Sequence, residues 1–238
     1  MRIMKAAKSL EPTLRRFDHR LYAAMALLAA AVVLIGFSRT FYLRAWFDTP
    51  PLSALRYTHG AAMTAWYALF LAQVALISRR RVDIHRQLGI AAALTAVVVV
   101  AVGVATAVHF VTRVRANPED SAFAAVVAGY DLVSLLIFAL LVGTALALRR
   151  RSDIHKRLMT LASMSLLGPP LARVVSEQHA LWLTYVLVLS PIAIDTWRHR
   201  RLHPAFGWGG ALILVSSRLA LHYVTSREWI AFALRTFP

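Results

Sequence analysis

The fold class the sequence predicts is an all-α, polytopic membrane bundle of seven transmembrane helices, one entry helix followed by three hairpins. Three observations lead there. Hydrophobic residues make up 59% of the 238-residue chain, where soluble chains hold about 45–50%, and mean hydropathy is +0.60. The apolar residues come in blocks of about twenty, the helix length that crosses roughly 30 Å of hydrocarbon. Lys and Arg collect between alternate blocks, which orients the whole.

The expected spans are 21–38, 58–78, 88–110, 122–148, 157–175, 180–197 and 205–225. Residues 1–20 form a basic segment that mimics the n-region of a signal peptide. The apolar run behind it is long and lacks a small-residue cleavage site, so it reads as a membrane anchor. In the second span His59, Trp66 and Gln73 fall at i, i+7 and i+14, with Met63 and Phe70 between them, one helix stripe that faces protein rather than lipid. Span 3 follows RRRVDIHRQLG (79–89) and span 5 follows RRRSDIHKRLM (149–159). Asp83 and Asp153 stand where helix N-caps are expected, and Pro204 suits the first turn of span 7. Gly168-Pro169-Pro170 breaks span 5 and frees carbonyls at depth. Residues 226–238 read as a short outer tail after a single domain, 21–225.

The net charge of +16 is a matter of position. Residues 1–20 carry six Lys or Arg, 79–87 four, 149–157 five and 198–204 three, together 18 of the 27. The richer side is expected to be cytoplasmic, with the N-terminus inside, the C-terminus outside and the basic turns against anionic headgroups. No base-reading or stacking cluster accompanies the charge, so nucleic acid is not an expected partner. A membrane partner protein or a homo-oligomer stays open. With no Cys, thiolate metal sites, iron–sulfur clusters and covalent haem attachment are excluded. The lysines are Lys5, Lys8 and Lys156, so no retinal Schiff base forms in the last span.

A shift of seventy residues lays His85 on His155 and His109 on His179, and a weaker third copy begins at His203. Parallel hairpin repeats explain this. The histidines then form two layers: His19, His85, His155, His199 and His203 inside, His59, His109, His179 and His222 outside. A helix of 24 residues spans roughly 36 Å, so His85 and His109 cannot share a ligand.

Each layer carries a structural and a chemical reading. Inside, caps and topology signals account for most residues. Three recurring histidines with Asp195 also suit a divalent metal ion: His85, His155, His203 and Asp195. Outside, His59, Trp66 and Gln73 suit interhelical hydrogen bonding. The chemical reading makes His59 an axial ligand of a b-type haem or a metal, partnered by His109 or His179, with Trp66 and Phe70 against the ring. Arg173 or Arg218 would pair with propionates, and His222 shares a face with Arg218. Asp131, about nine residues into span 4, needs a partner at that depth. Arg218 is the expected one and Arg173 the other available cation; a proton relay is the functional alternative.

The succession THGAAMTAWYALFLAQ, DIHRQLG, DIHKRLMTLASMSLLGPPLAR and DTWRHRRLHPAFGWGG resembles a family of uncharacterised bacterial multi-pass membrane proteins. Its marks fall on His59, Trp66, Gln73, His85, Arg86, Gly89, His155, Lys156, Arg157, Arg173, Asp195, His203 and Pro204, within roughly residues 40–215. The resemblance implies the topology, a bacterial inner-membrane location and a list of residues, but no reaction. A looser likeness links the span-end histidines to small helical membrane cytochromes. The expected function is therefore an integral membrane protein binding haem b or a divalent metal through span-end histidines, for electron transfer or cofactor handling. Two alternatives stand beside it: a proton-coupled small-solute transporter using Asp131, and a non-catalytic accessory or scaffold subunit. No nucleophile–base pattern argues for hydrolysis, and whether the chain is an enzyme stays open.

Overall fold

The computed structural model describes the backbone of residues 2–114 and 118–237 and the side chains of 18–114 and 120–237; the expected charges on residues 1–17 and on Arg115 lie outside the described side chains. Every regular element among them is helical: α1 (Arg2–Gly36), α2 (Ala54–Ser78), α3 (Val82–Arg113), α4 (Pro118–Ala147), α5 (Ser152–Ser165), α6 (Gly168–Ala172), α7 (Glu177–His199), α8 (Pro204–Val224) and α9 (Arg227–Thr236). Among the described residues, six segments are long and apolar enough to cross a membrane: Asp18–Gly36 of α1 and most or all of α2, α3, α4, α7 and α8. This is a multi-pass membrane protein.

Side-chain contacts sort the turns to two ends. At the basic end the rings of His85 and His155 lie 6.5 Å apart, and His203 Nε2 is 3.1 Å from Asp153 Oδ2. Asp18 reaches both Lys156 and His199 there. At the far end Gly36 packs directly on the Pro170 backbone, and the Arg173 guanidinium lies 4.4 Å from the Phe37 ring centre. Exposed aromatic side chains mark both ends, Trp197 and Trp208 at the basic one and Trp46, Tyr57, Trp182 and Tyr223 at the other. Exposed Leu, Ile and Val lie between, the arrangement of a lipid-facing surface with interfacial belts.

The expected fifth span is not one helix. α5 is 14 residues long, begins at the basic end and packs on α1, α4, α7 and α8. Its second half, Leu161 to Ser165, is buried. It stops at Leu166–Leu167 because Pro169 and Pro170 lack the N–H groups a continuing helix would use. The break would leave the Ser163 carbonyl unpaired, since Leu167 N–H bonds Met164 instead. Buried Tyr67 from α2 donates its hydroxyl to that carbonyl at 2.9 Å. α6 then carries the chain to the far end. The broken pair thus runs the depth of the bundle.

Three local expectations are corrected. Asp83 and Asp153 are not N-caps: Arg81 and Arg151 hold those positions without side-chain caps, and both Asp sit in the first turn, where a negative charge meets the helix dipole. Pro204 does open α8, and His203 caps it. The supposed tail from residue 226 is largely helix α9, capped by Ser226 accepting from Trp229 N–H. Trp229 anchors α9 on α4 by donating from Nε1 to the Ala125 carbonyl at 2.9 Å, in a space that Gly129 leaves open.

Candidate functional site

The two seventy-residue copies meet. α3 and α5 each start at the basic end, and the first turn of each presents its histidine sideways to the other, giving the 6.5 Å ring separation with planes at 87°. His155 Nδ1 lies 2.8 Å from the Ala145 carbonyl of α4. A carbonyl only accepts, so Nδ1 carries the proton, and in the neutral ring Nε2 keeps its lone pair. An imidazole held this way by a backbone carbonyl is the usual support of a metal-ligating histidine. His85 Nδ1 is buried with no hydrogen-bond partner among the described residues. Metal–imidazole bonds of about 2.0–2.1 Å put two ring centres about 6.4 Å apart where the ion lies in line between them, and about 5.2 Å apart at a tetrahedral ion. The 6.5 Å observed meets only the in-line arrangement, two ligands on opposite sides of one ion.

The other two residues of the expected inner metal set are engaged elsewhere. Asp195, fully buried on α7, takes a forked ion pair from Arg157, with Nη2 2.7 Å from Oδ1 and Nε 3.2 Å from Oδ2. His203 Nδ1 accepts from Ala205 N–H at 3.2 Å, which leaves Nε2–H to donate to Asp153. Neither nitrogen remains for a metal. Burial pushes the Asp153 carboxyl up, but hydrogen bonds from His203 and from first-turn backbone N–H groups outweigh it and hold it below the usual carboxylate value.

Asp195 belongs instead to a network absent from the sequence expectations. Asp18 of α1 accepts from Lys156 Nζ at 2.5 Å, while His199 Nε2 sits 3.1 Å from Asp18 and 3.7 Å from Asp195. The ligand atoms of Asp18, Asp195 and His199 lie within 4.8 Å of one another. Their charge is already balanced, each carboxylate by its own cation, so a divalent ion would sit against Lys156 and Arg157. The network ties α1, α5 and α7 together beside a cavity of about 220 Å³ that Arg201 also lines. Lys156 and Arg157 stand in the HKRL motif, where charge alone marks them as topology signals. Asp18 had no periodic or motif signal.

The outer set is not brought together. No hydrogen bond, ring contact or ion pair among the described residues joins His59 to His109 or His179. His109 and His222 are exposed, and exposed His179 uses Nδ1 on Ser176 Oγ at 2.6 Å. Arg218 is also exposed, with Tyr185 as its neighbour. The expected Asp131–Arg218 pair is absent: the cation whose field acts on Asp131 is Arg173, which also acts on His59. Arg173 donates to the Pro169 carbonyl at 2.9 Å, so the broken span 5 sets its position.

The α2 stripe does face the bundle. Trp66 is 1% exposed and packs edge-on against Phe138 of α4 at 4.9 Å. Yet His59 Nδ1, Trp66 Nε1 and Gln73 Oε1 are all buried without a hydrogen-bond partner among the described residues. Leaving one such group unsatisfied costs about 1–3 kcal/mol. Three on one stripe call for a common explanation.

With this geometry in hand, comparison with protein-family models, curated proteins and solved structures finds no match for the chain.

Proposed function

We propose that the chain crosses a bacterial inner membrane seven times, with α5 and α6 as a broken fifth crossing, the N-terminus and basic turns inside and the C-terminus outside. Its function on this reading is to bind a metal ion, either a divalent cation or the iron of a b-type haem, through His85 and His155 at the cytoplasmic end. Electron transfer or cofactor handling follows from such a site. The observation that carries the reading is the His85–His155 pair, 6.5 Å apart as suits two ligands on opposite sides of one ion, with His155 Nδ1 tied to Ala145 so that Nε2 is free to ligate.

Two neighbours support it. Arg149 to Arg151 lie at the same end and offer counter-charge to anionic cofactor groups. An apolar groove of about 360 Å³ between α3 and α4, lined by Ala93, Val97, Phe138 and Gly143 among others, reaches Leu146, next to the carbonyl that holds His155. It suits a cofactor with an apolar body. The test is the visible spectrum and metal content of protein purified in detergent. A Soret band or about one equivalent of metal is expected; neither, after growth with added haem and metal, overturns the proposal.

One observation favours a second reading, proton-coupled transport of a small solute. Asp131 sits near the middle of α4, and its carboxylate makes no hydrogen bond among the described residues. Replacing Asp131 by Asn then abolishes pH-dependent uptake while the fold persists. Uptake equal to the parent's makes Asp131 structural.

A further inference from the structure

We infer that the inward face of α2 is a hydrated path that conducts protons across the bundle, an activity separate from metal binding at His85 and His155. The stripe is regular. His59 Nδ1, Trp66 Nε1 and Gln73 Oε1 stand at i, i+7 and i+14, each buried and each without a hydrogen-bond partner among the described residues. Seven residues of helix rise about 10.5 Å, so the three atoms mark the span at even intervals from its far end to the basic end.

Unpartnered buried atoms among the described residues also lie on α1, α3 and α7; the three of α2 share one helix face. Lipid does not account for them, because Trp66 is 1% exposed and wedged against Phe138. Ordered water can satisfy buried polar groups that protein leaves unpaired. The rise of about 10.5 Å between successive stripe residues is the length of about three waters at hydrogen-bond spacing. The donor and acceptor pattern suits such a chain. Trp66 offers only N–H, Gln73 turns its oxygen inward, and water joins donor to acceptor while passing a proton along its own hydrogen bonds.

The far end has groups to take the proton, and the basic end opens to water. At the far end His59 and the unbonded Asp131 share Arg173 as their charged neighbour. At the basic end the Gln73 amide lies over Gly89, its Nε2 3.6 Å from where a Cβ would stand, and the turns beyond open to solvent. The Gly89 gap keeps that amide from being walled off by α3.

The test uses the full chain in lipid vesicles under a potassium diffusion potential, with an entrapped pH dye. Proton entry at least tenfold above protein-free vesicles is expected. Trp66→Phe keeps the ring against Phe138 but removes the N–H, and Gln73→Leu removes the acceptor at similar volume. Each should cut the flux at least tenfold with the thermal melt retained. Parent vesicles no leakier than empty ones, or variants that conduct like the parent, overturn the inference. Should a variant not fold, hydrogen exchange of the Trp66 indole N–H in the parent decides. Exchange with bulk deuterium oxide within minutes is expected, and protection for hours overturns the path.

Discussion

Arg157 and Asp195 form a charged pair at nearly complete burial, 4% and 0% exposed, between the half-helix α5 and α7. Arg157 also donates to the Asp153 carbonyl at 2.8 Å and lies over the Phe206 ring, so all three of its nitrogens and its flat face are in use. A pair of this kind adds little over an apolar substitute, but removing one partner strands the other charge. Arg157→Met is expected to cost about 3–5 kcal/mol in chemical unfolding, with most of it regained in Arg157→Met/Asp195→Leu. A double variant no better than the single would mean that the fold needs the charges themselves. The Asp153–His203 bond works on a smaller scale, since the Asp153 side chain is 60% exposed. The folded state holds this carboxyl below its ordinary value, so its contribution is full above about pH 4 and fades as pH falls further. The melting difference between parent and Asp153→Asn should accordingly shrink from about pH 6 to about pH 3. A difference that widens there contradicts the assignment.

Among the elements, the broken α5–α6 pair does the most to set the sites apart. It places Arg173 at one end and His155 and Arg157 at the other, and its break is held by Tyr67 on the Ser163 carbonyl. Gly36 lets α1 run directly against α6. A methyl at that position meets backbone, not a side chain that can swing away, so Gly36→Ala should cost about 1–3 kcal/mol by overpacking. An unchanged melt would mean that the α1–α6 contact adjusts freely. The long helices were legible in the sequence because about twenty apolar residues in a row have few other fates. The Gly-Pro-Pro break was legible too, although not that α5 would be only 14 residues long. α9 was not legible. Its ten residues are short and charged at both ends, and its apolar face gains meaning only once Trp229 finds the gap at Gly129. The His85–His155 meeting could be read from the seventy-residue repeat. The Asp18 network could not, because Asp18 lies in a basic stretch and its partners are far along the chain.

For the molecule as a whole, the two ends carry different chemistry. The basic end holds the paired histidines and a neutralised ion network; the far end holds Asp131 under Arg173 with His59 nearby. The proposed orientation makes reporter fusions at the N-terminus and at the 148–151 turn active only in the cytoplasm, and a fusion after α9 active only outside; the reverse pattern contradicts it. Whether His85 and His155 together hold the metal or haem iron is tested by the cofactor content of the parent beside His155→Ala and His179→Ala. At least a tenfold loss is expected in His155→Ala, with parental content in His179→Ala. Content kept in His155→Ala and lost in His179→Ala would contradict it.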